Sequence, residues 1–274
     1  MKNRSAYYMI TPILIILTVF LFLPLLKVLF PSIFAEGYPF SAYVEFFSDG
    51  YYRGILYRTV RIAVVTTACC MVLGVPTAYF VSRCTKHWRG ILLAVAIFPM
   101  MTNSVMRSFA WINILGTNGI INRLLLALGV IDEPLKLLYT EFAIVIGSVY
   151  LFLPLMIVTV AGVMENIGDD MMEAAESLGA NRLTAFLRVI FPMSLPGIIV
   201  GSTLVFTGTL TAYTTPQLLG GNQQMVMATL IYQRAMSVGD WTGAAIISVI
   251  MIVITLVVIK CFNQIAARLD KRGA

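Results

Sequence analysis

Between Ile62 and Val81 the chain reads "IAVVTTACCMVLGVPTAYFV", with no charged residue. A bilayer core of ~30 Å is crossed by about 20 apolar residues at 1.5 Å rise per residue. Inside lipid every backbone polar group must be satisfied internally, which for a run of this length means a helix. Five further apolar runs occur: Tyr8–Leu29, Gly90–Met106, Phe142–Met164, Ser194–Ala212 and Trp241–Ile259. The expectation is an all-α integral membrane protein with six transmembrane helices. The composition agrees: 59% of residues are hydrophobic, 12% are charged and mean hydropathy is +0.89. A soluble domain would need a far more polar surface. No low-complexity linker or internal repeat is visible, so residues 1–274 read as one membrane domain.

The net charge of +6 belongs to membrane topology. No Arg-rich stripe with interleaved aromatics is present, so no nucleic-acid partner is expected; membrane lipid is. Lys2 and Arg4 precede the first run, which is longer than a signal-peptide core and lacks a small-residue cleavage site. It reads as a retained first helix, with Tyr7 and Tyr8 as interface anchors. Basic residues in short loops mark the cytoplasmic side. The clusters Lys2/Arg4, Arg83/Lys86/Arg89 and Lys260/Arg268/Lys271/Arg272 all fall on one side of a six-span chain. Both termini are therefore expected in the cytoplasm. Parity puts residues 165–193 there too, although they open with Glu165, Asp169, Asp170, Glu173 and Glu176. On the other side, "NGIINRLLLALGV" is apolar at Ile120, Ile121, Leu124, Leu125 and Leu128. That spacing predicts an amphipathic helix lying on the membrane or on a neighbouring helix.

Catalytic chemistry has little to work with. The only histidine is His87, in a basic loop, and the cysteines Cys69, Cys70, Cys84 and Cys261 make no CxxC pair. The spans hold no acid pair and no HExxH, which argues against an intramembrane enzyme. No G-x-x-x-x-G-K-[ST] loop is present to cradle a nucleotide. A channel or self-sufficient secondary transporter would often show repeats and broken helices around a midplane site. Co-purification of a separate ATPase separates these rivals from an ATP-driven system.

The segment "EAAESLGANRLTAFLRVIFPMSLPG", Glu173 to Gly197, is the exception to the apolar pattern. Asp170 is a suitable N-cap, with Glu173 three residues on as in a capping box. Met171, Ala174, Ala175 and Leu178 form one apolar stripe. Gly179 stands where a left-handed helix end is wanted. Leu183, Phe186, Leu187 and Ile190 repeat the spacing, Pro192 is expected to stop this second helix, and Ser194 and Pro196 to cap and start the next span. A helix, a turn and a helix project from the membrane. They could lie on the bilayer, but the acidic start is disfavoured beside an anionic leaflet, and the small residues suit close approach by a protein.

With Glu173-Ala174-Ala175, Gly179, Val189, Phe191 and Pro192 in place, this loop resembles that of permease subunits of binding-protein-dependent ABC importers. That family carries EAA, three residues, Gly, nine residues, then Ile-x-Leu-Pro. The stretches "PMMTNSVMRSFAWINIL", "GTNGIINRLLLALGVID", "LLGGN" and "GDW" further resemble polyamine (spermidine and putrescine) permeases. The resemblance implies a type I importer permease fold, with residues 165–193 as the coupling helix-turn-helix. It implies contact with a cytoplasmic ATPase dimer through Glu173, Ala174, Ala175, Gly179, Ala180, Arg182 and Phe186. ATP and Mg would be bound by that partner, with no cofactor in this chain. It further implies a second permease subunit, expected to be a different chain, an extracytoplasmic solute-binding protein, and a bacterial inner-membrane location. The cargo would be a polyamine or a related small organic compound. Polyamine permeases often carry an acid just before the Leu-Leu-Gly-Gly turn; here that place holds Gln217.

Polar groups near span ends are candidates for the translocation pathway. Asn103 and Arg107 are spaced i, i+4, with Trp111 one step on, and should face the bundle interior. The alternative is interhelical hydrogen bonding with an interface arginine that snorkels. Tyr150, Tyr213 and Gln217 join them, since aromatic rings hold an alkylammonium by cation–π contact. Pro76, Pro99 and Pro154 lie inside spans and favour kinks.

Overall fold

The structure, a computed structural model, describes residues 2–33 and 40–270. Lys271 and Arg272 lie outside the described residues, as do the side chains of Lys2, Arg4, Tyr7, Tyr8 and Arg268. No strand occurs among the described residues. In chain order the helices are α1 (Lys2–Ile33), α2 (Ser41–Ser48), α3 (Gly50–Ser82), α4 (Lys86–Met101), α5 (Ser104–Leu115), α6 (Ile120–Ala127) and α7 (Glu141–Met164). They continue as α8 (Asp170–Ser177), α9 (Arg182–Ala185), α10 (Phe191–Met193), α11 (Leu195–Thr211), α12 (Met227–Tyr232) and α13 (Trp241–Asp270).

Among the described residues α3, α7 and the Trp241–Gln264 part of α13 are each long and apolar enough to cross a membrane. Two further candidates are bent pairs: Lys86–Met101 with Ser104–Ala127, at 92°, and Arg182–Met193 with Leu195–Thr211, at 69°. Thr11–Leu23 in α1 is a shorter apolar helical stretch. The run Gly90–Met106, expected as one span, is thus broken. Thr102 is extended, and the Asn103 side chain accepts from the backbone N–H groups of Val105 at 2.9 Å and Met106 at 3.3 Å, starting α5. A capped N-terminus wins here over simple continuation of the apolar run.

The chain divides into two compact units. In the first, Met1–Gly54 with Leu230–Val253, Phe46 stacks on Tyr52 at 5.0 Å, and Arg234 lies over the Tyr52 ring and reaches its hydroxyl. Arg234 also pairs with Asp240 at 3.0 Å. Gly239 adopts φ +76°, and Asp240 accepts from the Gly243 N–H at 2.8 Å. The "GDW" stretch is therefore a left-handed turn followed by the cap of α13.

The second unit, Ile55–Thr229 with Ile254–Ala274, is organised around α7, which packs against α4 and α11. Its buried cluster includes Cys70, Val75, Met156, Val160, Met164, Ile190 and Val205. Between membrane helices, packing rather than water exclusion drives association, so small residues admit close approach. Met156 is fully buried because Gly74 and Gly201 make room for it. A Cβ at Gly74 would stand 2.6 Å from Met156 Cγ, and one at Gly201 would stand 2.8 Å from its Sδ.

At the Met164 end of α7 the basic loop and the acidic segment meet. Arg83 pairs with Asp169 at 2.5 Å and donates to the Ile167 carbonyl, while Arg89 pairs with Glu165 at 3.3 Å. Two of the acids that run against the positive-inside pattern, Glu165 and Asp169, are thus partnered by its arginines, and both segments lie at one end of the helices.

Candidate functional site

The projecting segment is a helix, a turn and a helix. Asp169, not Asp170, occupies the cap position of α8 and makes no side-chain cap bond; Asp170 is the first helical residue. This corrects the expected capping box. The physical reason is competition: the Asp169 carboxylate is drawn to Arg83. The far end follows expectation. Gly179 takes φ +90°, Gly179 N–H donates to the Glu176 carbonyl at 2.9 Å and Ala180 N–H to the Ala175 carbonyl at 3.1 Å. This double bond pattern closes a helix through a left-handed residue. Asn181 then caps α9 by accepting from the Thr184 N–H at 2.8 Å.

After α9 the chain forms a π-helical turn, Phe186–Ile190, and passes through α10. Pro192, expected to stop this second helix, therefore does not. It sits in the first turn of α10, directly after the π-helical turn, and the bend falls at Ser194. Ser194 is fully buried and makes no side-chain cap bond to α11; its hydroxyl donates back to the Ile190 carbonyl at 2.6 Å.

The two faces of the segment differ. Met172, Phe186 and Phe191 pack against the core, and Phe186 meets Tyr79 edge-on at 4.9 Å. The stripe Met171, Ala174 and Leu178 points away; Leu178 is 90% exposed. Glu173 and Arg182 are also exposed, Ala175 and Ala180 half-buried. An anchored inner face thus presents an uncovered apolar row beside acids. Phe186 belongs to the anchor.

The pathway candidates are brought together only in part. Asn103 is engaged in capping α5. Arg107 is buried and donates to the Pro99 carbonyl at 2.9 Å and the Thr102 carbonyl at 3.3 Å. It thereby satisfies the last carbonyls of α4 across the break. The i, i+4 pair is therefore a hinge fastening, not one face of a continuous span. Trp111 and Tyr150 do meet, edge to face at 5.8 Å. Tyr213 and Gln217 are joined through one turn, Gln217 N–H to Tyr213 carbonyl at 3.0 Å, and both are half-buried. The segments that carry these residues, α5, α7 and the π-helical turn Pro216–Gly220, converge on buried Leu115, Ala143 and Leu219.

Sequence reasoning missed Glu141, which pairs with Arg58 at 3.4 Å and with Arg61. Its one local signal is its place after Thr140, whose hydroxyl caps α7. The "LLGGN" turn is locked where Tyr139 N–H donates to the Leu219 carbonyl at 2.9 Å. Gly221 takes φ +57° beside the Tyr139 ring, so a side chain there would be strained and crowded. Among the described residues no group of three or more His, Cys, Asp or Glu could hold a metal ion.

Residues 2–273 match the family described as binding-protein-dependent transport system inner membrane component. The chain is 30% identical over 281 residues to the spermidine/putrescine transport system permease protein PotB of Salmonella typhimurium (strain SL1344), covering 99% of this chain and 98% of that protein. It is 31% identical to PotB of Escherichia coli (strain K12), covering 93% and 96%. The molybdenum transport system permease protein ModB of Mycobacterium bovis is 28% identical, covering 74% of this chain and 76% of that protein. Among solved structures, a bacterial alginate ABC transporter, in complex with its alginate pentasaccharide-bound periplasmic protein, superposes with a TM-score of 0.82. It is 17% identical and covers 98% of this chain and 96% of that one.

The helical membrane chain has the fold of an ABC transporter permease. The chain belongs to the inner-membrane components of binding-protein-dependent transport systems: it is a multi-pass permease subunit of an ABC importer.

Proposed function

We propose that this permease carries a polyamine, spermidine or putrescine, across the inner membrane. The observation that carries the reading is near full-length similarity to PotB. In this reading residues 1–274 act as one permease domain of six spans: α1, α3, α4 with α5, α7, α11 and α13. Both termini lie in the cytoplasm. Residues 165–193 seat on a cytoplasmic ATPase dimer that binds ATP and Mg, a different permease chain completes the channel, and an extracytoplasmic solute-binding protein delivers cargo. Asn103, Arg107, Trp111, Tyr150, Tyr213 and Gln217 line the path. Their aromatic faces and amide suit an alkylammonium without a buried carboxylate.

The test is uptake by the reconstituted complex. ATP-dependent accumulation of labelled spermidine or putrescine is expected, and Tyr150→Ala should raise the polyamine concentration needed for half-maximal uptake. Stimulation of ATP hydrolysis by a different solute, with neither polyamine accumulated, would overturn the substrate. Orientation is tested separately. A reporter enzyme active only outside the cytoplasm, fused after Ala274, should be silent; activity there would reverse the topology.

A further inference from the structure

Helix α6 has two unlike faces. One is fastened to the protein. Asn122 is fully buried; its amide donates to the Gly116 carbonyl at 3.1 Å and the Leu135 carbonyl at 2.9 Å, and its oxygen accepts from the Leu135 N–H at 2.9 Å. Ile121 packs on the cluster of Leu115, Ala143 and Leu219. The other face is uncovered and apolar. Ile120, Leu124 and Leu128 are 65%, 57% and 66% exposed. At about 100° per residue these positions, with Ala127, share one side of the helix. Arg123 borders that side, is exposed, and has no ion pair among the described residues.

The height of α6 follows from its neighbours. Ala143 is in the first turn of α7, and α7 reaches the Arg83–Asp169 end only after 24 residues. At 1.5 Å per residue that is about 36 Å, more than the ~30 Å hydrocarbon core. The start of α7 and α6 with it therefore lie at the bilayer surface opposite the Arg83–Asp169 end. An outward apolar row at that depth, edged by an unpaired cation, fits the boundary between headgroups and acyl chains.

We propose that α6 is an interfacial lipid anchor: Ile120, Leu124 and Leu128 enter the acyl region and Arg123 engages the phosphate of an anionic lipid. Arginine suits the role because its long stem lies along apolar surface while its planar head binds phosphate.

The test is spin labelling of the assembled importer in nanodiscs, in a background lacking the four native cysteines. Labels at Leu124→Cys and Leu128→Cys should be accessible to oxygen and protected from a water-soluble nickel chelate. A label at Val72→Cys, on exposed α3, reports the lipid interior. The Leu124 label spectrum should change when phosphatidylglycerol is added to phosphatidylethanolamine discs, and Arg123→Gln should abolish that change. High nickel accessibility at Leu124 would place α6 in water, and protection from both reagents would place it under a protein partner; either overturns the anchor. A spectrum indifferent to phosphatidylglycerol with Arg123 intact overturns the anionic contact. Oxygen access at Val72 in all cases leaves the permease reading standing.

Discussion

Replacing Ala175 with tryptophan is expected to leave a folded, membrane-inserted protein that neither recruits the ATPase nor supports uptake. Ala174 lies in the uncovered stripe of α8 with half-buried Ala175 beside it, and the core is held by Met172, Phe186 and Phe191 from the other face. A bulky ring at this edge of the stripe therefore blocks close approach of a partner. Gly179→Val acts by a different route. Beyond its own chain neighbours, nothing lies within 4 Å of a Cβ built at Gly179, so the new side chain meets open space. The penalty is the left-handed backbone, about 1–2 kcal/mol and most severe for a β-branched residue. It falls on the turn that sets α8 against α9. Co-purification of the ATPase and uptake by the reconstituted complex measure both variants. Wild-type recruitment and transport in both would mean that this segment is not the coupling element.

Gly74→Val is expected to destabilise the helix bundle by about 1–3 kcal/mol, the usual cost of overpacking a filled core. Its Cβ would stand 2.6 Å from Met156 Cγ and 3.1 Å from Met156 Cβ, atoms too near the backbone to swing aside. Met156→Ala alone should also destabilise, through the cavity it leaves, by about 2–5 kcal/mol. The two defects are complementary, so the double variant should be more stable than the sum of the singles allows. Thermal midpoints in detergent, read as the fraction retained at the native elution volume, test this. Strict additivity would show that Met156 is not the residue that Gly74 accommodates.

Much of the architecture was legible because lipid imposes few options. An uncharged run such as Ile62–Val81 must be helical, and it is, within α3. The turn at Gly179 was legible because so few residues adopt its backbone conformation. The break at Asn103 was obscured by the apolar residues on either side of it. A helix running unbroken through Gly90–Met106 does not form, because Thr102 is extended. In a chain apolar on all sides, periodicity does not say where a helix ends, and Arg107 is explained only by the carbonyls of Pro99 and Thr102 that it meets.

The all-helical membrane character, the projecting helix-turn-helix and the left-handed turn within it are set by residue order alone. Each follows from local chemistry: hydrocarbon excludes unpaired backbone, and a positive φ selects glycine. Packing selects which stripe of α8 is buried, since both Met171 and Met172 are apolar and the choice of Met172 depends on Phe186 and the core behind it. It decides that Asp169 serves Arg83 and not its own helix, and that Glu141 holds Arg58 and Arg61. Those partners are about 80 residues away along the chain. A carboxylate goes to the strongest donor within reach, and reach is set by the packed helices, not by neighbours in sequence.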